Sequence, residues 1–252
     1  MDASQQYGQQ NFNLPHDVVK LPTGGVFYKS KKKSLKVGYL TAADENILMA
    51  GENATKEGIV MTLLRNKIYE PDIKPDELLS GDIEAILIFL RNTAFGPEYI
   101  VNIPDPENPS RDIQTTIVLD ELYFKETKVK PGEDGTFTTQ LPKSGLMVKL
   151  KPLSFGEQNE LEKMAESYPK GRVAPKQTWR LNKMVVEIEG SNDRGVIAQK
   201  IDTLPISDAK YIRKFIEENE PRLDLRKQVI TPSGKETYVD IVFGVEFFRP
   251  FF

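Results

Sequence analysis

The chain contains no cysteine and a single histidine in 252 residues. Without thiols there are no disulfides, no cysteine nucleophile and no cysteine-ligated metal, a composition that fits a reducing compartment. With His16 as the only imidazole, a His-rich metal site is excluded, and a Ser-His-Asp arrangement would have to recruit that residue from beside a polar tail. Neither a Gly-x-Ser-x-Gly elbow, a phosphate-binding Gly-x-x-x-x-Gly-Lys-Ser/Thr loop, nor a Gly-x-Gly-x-x-Gly fingerprint occurs. No apolar run approaches the roughly 18 residues of a membrane helix, and no basic stretch followed by an apolar one opens the chain. The formal net charge of -3 gives no general attraction for phosphates. Asp105 and Glu107 lie in a proline-rich turn without the Asp-x-Asp-x-Asp-Gly pattern of a calcium loop. The 37 acidic side chains always include some pair at a glycosidase-like spacing, so such pairs carry no signal. The expectation is therefore a protein without catalytic residues, cofactor or metal.

What is present is a repeat. Leu35 to Met49 and Val148 to Met164 each run from an alternating, strand-like stretch into a hydroxyl residue, Thr41 or Ser154, followed three positions on by an acid, Asp44 or Glu157. The second is a capping box, and in the first Asp44 and Glu45 sit where carboxylates favour the positive end of a helix. Leu-Pro-x-x-Gly precedes each copy, at Leu21 to Gly25 and at Leu141 to Gly145. Ser80-Gly81-Asp82 and Ser207-Asp208 then open helices, and each half closes on an acid with paired aromatics, Tyr123-Phe124 and Phe247-Phe248. A period of about 120 residues indicates two related modules, not a solenoid. With 39% hydrophobic and 28% charged residues there is material for two modest cores under a solvated surface.

The expected fold class is α+β, with each module a small, mostly antiparallel sheet or hairpins and about three helices. The expected boundaries are an N-terminal arm (1–13), module 1 (14–127), a linker (128–137) and module 2 (138–252). The arm is Gln- and Asn-rich, with Tyr7 and Phe12 as its large side chains; it reads as a free tail or as an arm that orders on a neighbouring subunit. Lys29 to Lys36 reads as a solvated hairpin loop, or as a contact for an acidic partner or nucleic acid. Helices are expected at Ala42 to Ala50, Lys56 to Lys67 and Asp82 to Asn92, the last apolar nearly all round and central to a core. In the second half they are expected at Phe155 to Glu166, Trp179 to Ile188 and from Ser207 to Asn219, with a hairpin over Lys227 to Phe243. Trp179 is a core residue or a partner hot spot, and Phe247, Phe248, Phe251 and Phe252 are core closure or a socket-filling cluster.

Leu-Pro-x-x-Gly, Leu40-Thr41-x-x-Asp44-Glu45, Ser80-Gly81-Asp82, Phe89 to Thr93, Phe95 to Tyr99 and the run from Thr231-Pro232-Ser233-Gly234 to Phe247-Phe248-Arg249-Pro250 resemble the baseplate proteins of T4-like contractile-tailed phages. More narrowly they resemble the hub-associated and hub-assembly members. In several such relatives a Cys-Pro-x-Cys-type knuckle stands where this chain has Thr231-Pro232-Ser233-Gly234, so the resemblance implies a turn held without metal. It further implies a non-enzymatic component of the baseplate hub region that binds other baseplate or hub proteins, with no membrane or nucleic-acid partner. A place in a symmetric assembly is open. The protein would be found in the host cytoplasm during assembly and in the virion tail baseplate. The alternatives are a tail-associated cell-wall hydrolase and a transient assembly chaperone absent from the virion.

Overall fold

Strand β1 (His16–Lys20) pairs antiparallel with β2 (Ser34–Gly38), Val19 opposite Leu35, which turns Val19, Leu35 and Val37 inward and leaves Val18 exposed. Their connection holds the first Leu-Pro-x-x-Gly turn, where Gly25 takes φ 75°; a Cβ there would stand 2.1 Å from the Lys32 carbonyl oxygen, so only glycine fits. The computed structural model describes residues 15–49, 56–108, 110–243 and 245–248.

Helix α1 (Ala42–Met49) starts where Asp44 accepts from the Thr41 backbone N–H and hydroxyl, both at 2.7 Å. Asp44 also pairs with Lys67 at the end of α2 (Lys56–Lys67), a buried ion pair that ties the two helices. Helix α3 (Ser80–Phe95) buries Ile83, Ile86, Leu87 and Leu90 and is central to the first core, as its all-round apolar sequence requires. After Gly96, β3 (Glu98–Pro104) and β4 (Asp112–Val118) form a hairpin.

The second half begins with the sheet β5–β6–β7, made of β5 (Phe137–Gln140), β6 (Met147–Leu150) and β7 (Val185–Ile188). Helix α4 (Phe155–Glu166) carries the expected capping box: the Glu157 N–H donates to Ser154 Oγ at 3.2 Å and the Ser154 N–H to Glu157 Oε2 at 3.0 Å. The helix expected over Trp179 to Ile188 divides. Helix α5 (Lys176–Met184) stops at Met184, and Val185 to Ile188 extend as β7 against β6, Val148 opposite Ile188. β-Branched residues with an apolar partner strand favour the pleated surface over a further helical turn. A helix that the sequence reading did not contain follows, α6 (Arg194–Asp202), capped by Asp193 accepting from the Val196 N–H at 2.9 Å. Helix α7 (Ile206–Asn219) turns Ile212 and Ile216 inward, and β8 (Arg226–Ile230) pairs with β9 (Glu236–Asp240). The turn between them is closed by Thr231, whose N–H donates to the Lys235 carbonyl at 2.8 Å and whose hydroxyl accepts from the Lys235 N–H at 3.1 Å.

The architecture is α+β, with small antiparallel sheets of two or three strands. Core membership is not contiguous in the chain. One apolar cluster joins residues between Val19 and Leu119 with Val229, Val239, Ile241, Phe247 and Phe248; the other runs from Phe137 to Ile216. Phe27 packs against both, its ring centroid 5.9 Å from that of Phe137. The segment from 128 to 137 is fastened to both halves: Val129 N–H donates to Asn219 Oδ1 at 2.8 Å, and Lys31 Nζ donates to the Glu133 carbonyl at 2.7 Å.

Candidate functional site

Each Leu-Pro-x-x-Gly turn is held by a buried aspartate at the start of a later helix. Asp82, in the first turn of α3, accepts from the Thr23 N–H at 3.0 Å, from the Thr23 hydroxyl at 2.6 Å and from the Tyr28 hydroxyl. Asp208, in the first turn of α7, accepts from the Lys143 N–H and the Ser144 N–H, each at 2.8 Å. The two acids lie in equivalent places of their halves. Their electrostatics differ: burial raises the Asp82 carboxyl despite its hydrogen bonds, whereas at Asp208 the turn's donors outweigh burial and hold it below the usual carboxylate range. Burial and the facing Asp82 push the Tyr28 hydroxyl far up, so it stays protonated as a donor.

Where the halves meet, Phe155 N–H donates to the Leu78 carbonyl at 2.9 Å, Gln158 donates to Ser80 Oγ at 3.2 Å, and Arg222 pairs with Glu84. Gly81 and Gly156 lie at this contact; a Cβ on Gly81 would stand 2.5 Å from the Pro221 carbonyl oxygen. Beside it opens a cleft of about 640 Å³ lined by residues of α3, α4, α5 and α7 and by Glu220 and Arg222. Burial pushes the Glu220 carboxyl up to about 7; Arg222 opposes the rise, and Glu84 and Asp82 add to it. The sequence reading did not mark Glu84, Glu220 or Arg222. Their only signal was a buried charge pair that no local pattern announces.

The residues expected to face partners fall in three places. Phe247 is 0% exposed and Phe248 3%, so both lie in the core of this chain and neither offers a ring to a partner from that position. Phe247 packs edge-on against Tyr99 and Phe243, centroids 5.2 and 4.8 Å away, and the Arg91 guanidinium lies 5.6 Å from its ring. Trp179 is half-buried in α5, edge-on to Tyr168 at 5.7 Å. Tyr7, Phe12, Phe251 and Phe252 lie outside the described residues. Two lysines of the cluster are engaged within the chain and Lys29, Lys33 and Lys36 are exposed: Lys32 pairs with Glu70 and with Asp72 at 2.6 Å, and Lys31 Nζ donates to the Val26 carbonyl at 2.7 Å.

The exposed apolar side chains are elsewhere. Tyr123 is 74% exposed and Phe124 59%, on a segment that crosses the chain at Leu223, with Phe124 bridging Leu223 and the Lys125 N–H donating to the Arg222 carbonyl at 2.8 Å. Lys227 of β8 reaches over the Tyr123 ring at 5.5 Å, and Ile230, Tyr238 and Val242 of the same hairpin region are exposed. Among the described residues no group of three or more His, Asp or Glu side chains is placed to hold a metal ion, and no helix is long and apolar enough to cross a membrane.

No curated protein and no solved structure matches the chain. A family profile described as T4 bacteriophage base plate protein matches residues 25–249. That span takes in the second Leu-Pro-x-x-Gly turn, both aspartates, the cleft and the C-terminal hairpin. The chain belongs to the T4 bacteriophage base plate protein family.

Proposed function

We propose that this chain is a structural or assembly component of the hub region of a contractile phage tail baseplate, acting by binding other tail proteins and without catalysis. The observation that carries this reading is the family match over residues 25–249. The absence of a nucleophile–base motif and of cysteine from the sequence agrees with it. Binding then rests on buried apolar anchors and shape. The exposed Tyr123-Phe124 segment beside the β8–β9 hairpin is a partner surface, as are the arm with Tyr7 and Phe12, the end with Phe251 and Phe252, and the half-buried Trp179. The two halves descend from one duplicated module, a reading supported by the matching aspartate-bound turns. Mass spectrometry of purified intact particles, quantified against a tail protein of known copy number, tests the role. A fixed small-integer ratio is expected for a structural subunit. Abundance in infected cells with absence from particles would identify an assembly chaperone that leaves before completion. Absence from both particles and tail intermediates would overturn the proposal.

A second reading draws on Glu220, because a carboxyl raised to about 7 beside a cleft has the protonation of a glycosidase general acid. Release of soluble fragments from peptidoglycan by the purified chain, abolished by Glu220→Gln, would establish that enzyme and displace the structural reading.

A further inference from the structure

The cleft at the meeting of the halves is lined by a carboxylate, one oxygen of which the described residues leave without a partner. Glu84 lines it and is only 8% exposed. Its Oε1 pairs with Arg222, while its Oε2 is buried and has no hydrogen-bond partner among the described residues. Glu220 lines the same cleft as a second carboxyl, raised by burial and by the field of Glu84. Both acids lie in the field of the Arg222 guanidinium, but only Glu84 pairs with it, and an uncompensated oxygen on a buried carboxylate is costly. Of the other cations lining the cleft, Lys176 pairs with Glu162 at 2.6 Å, and Arg180 and Arg213 stand there beside the acids Glu162 and Glu217. Leu153, Met184 and Ile216 supply apolar wall, suited to the methylenes of a long cationic side chain.

We propose that this cleft is a socket for an arginine side chain of a neighbouring tail protein, which joins Glu84, Glu220 and Arg222 to close a cluster of two acids and two guanidiniums. Arginine fits better than lysine because its planar fork is weakly hydrated and addresses carboxylates through more than one N–H. Arg180 and Arg213, which also line the cleft, suit a partner segment whose arginine is flanked by acidic residues, so the pair of surfaces is complementary in charge. The proposal rests on the structural reading above for the source of the arginine, but the socket itself is testable without the partner.

The test is titration of the full chain with L-arginine amide, followed by the methyl NMR signals of Met184 and Ile216. Saturable shifts at both methyls are expected, with a dissociation constant on the order of millimolar for so small a probe. Glu220→Gln, which keeps volume and leaves the Glu84–Arg222 pair in place, should weaken binding at least about tenfold. No saturable shift up to about 100 mM, equal binding by Glu220→Gln, or tighter binding of N-acetylglutamate than of arginine amide would each overturn the proposal. Failure of the titration removes the socket and leaves the baseplate role standing. Peptidoglycan turnover would remove that role and leave the titration interpretable.

Discussion

Replacing Phe247 by alanine separates a core role for the C-terminal rings from a partner-facing one. The side chain is 0% exposed and makes ring contacts with Tyr99, Phe243 and Phe248 at 5.2, 4.8 and 5.1 Å. Removing a buried phenylalanine costs about 3–5 kcal/mol through lost transfer and the cavity left behind. Arg91 adds to the loss. It is 1% exposed, donates to the Gly96 and Glu98 carbonyls at 2.6 and 2.7 Å, and has a buried Nε without a hydrogen bond among the described residues, and the ring faces of Phe247 and Tyr99 lie against its guanidinium. Stripping one face leaves a desolvated charge less compensated. Against a total stability of about 5–15 kcal/mol, the substitution removes a large fraction. Urea unfolding followed by far-UV circular dichroism should show the midpoint falling by about 1–2 M. Tyr123→Ala, at an exposed ring, should change stability by no more than about 0.5 kcal/mol. A Phe247→Ala protein as stable as the parent but unable to enter baseplates would refute the reasoning and make that ring an interface anchor.

Glu220→Gln should stabilise the protein at pH 8 and have little effect near pH 4.5. The native carboxyl binds its proton up to about pH 7 while the ordinary value is 4.5. The native state therefore holds more protons across that window, and this group's contribution to stability falls as pH rises through it, by at most about 3 kcal/mol. Equal pH dependence of the two proteins in chemical denaturation would sink this assignment. Asp82→Asn and Asp208→Asn should each destabilise by about 1–3 kcal/mol, since an amide that must accept from the turn also presents donors to donors. Hydrogen exchange should localise the damage to residues 21–28 in the first variant and 141–146 in the second. Protection lost evenly over the whole chain would contradict it.

Local chemistry made much of this fold legible. The Ser154–Glu157 box, the Lys56–Lys67 helix, the apolar α3 and the Pro-Ser-Gly hairpin all depend on residues within a few positions of one another. The division at Met184 was not legible, because Leu181, Met184, Val185 and Ile188 satisfy a helical period, and only pairing with Val148 decides for a strand. Helix α6 has its cap at Asp193, but it buries only Ile197 and Ile201 and so gave no sustained periodicity. The sequence places both aspartates at helix starts but does not show their long-range partners: Asp82 serves a turn 59 residues away, and Asp208 one whose donors lie 65 and 64 residues away. The cleft was invisible for the same reason, since Glu84 meets Arg222 across 138 residues.

The return of the C-terminal segment to the first core links folding to assembly. Val229, Val239, Ile241, Phe247 and Phe248 belong to the cluster built by residues 19–119, while the buried members of the second cluster all lie between Phe137 and Ile216, with Phe27 packed against them from outside. During synthesis the second core can close before the first, which waits for residues 229–248. A fragment ending at residue 127 should therefore lack a cooperative unfolding transition, and adding the separate segment 221–252 should restore part of it. A fragment spanning 128–220 should show dispersed amide signals on its own. If the 1–127 fragment folds cooperatively by itself, the C-terminal hairpin is a cover on a finished core, and its rings are then free to be exchanged for those of a neighbouring subunit.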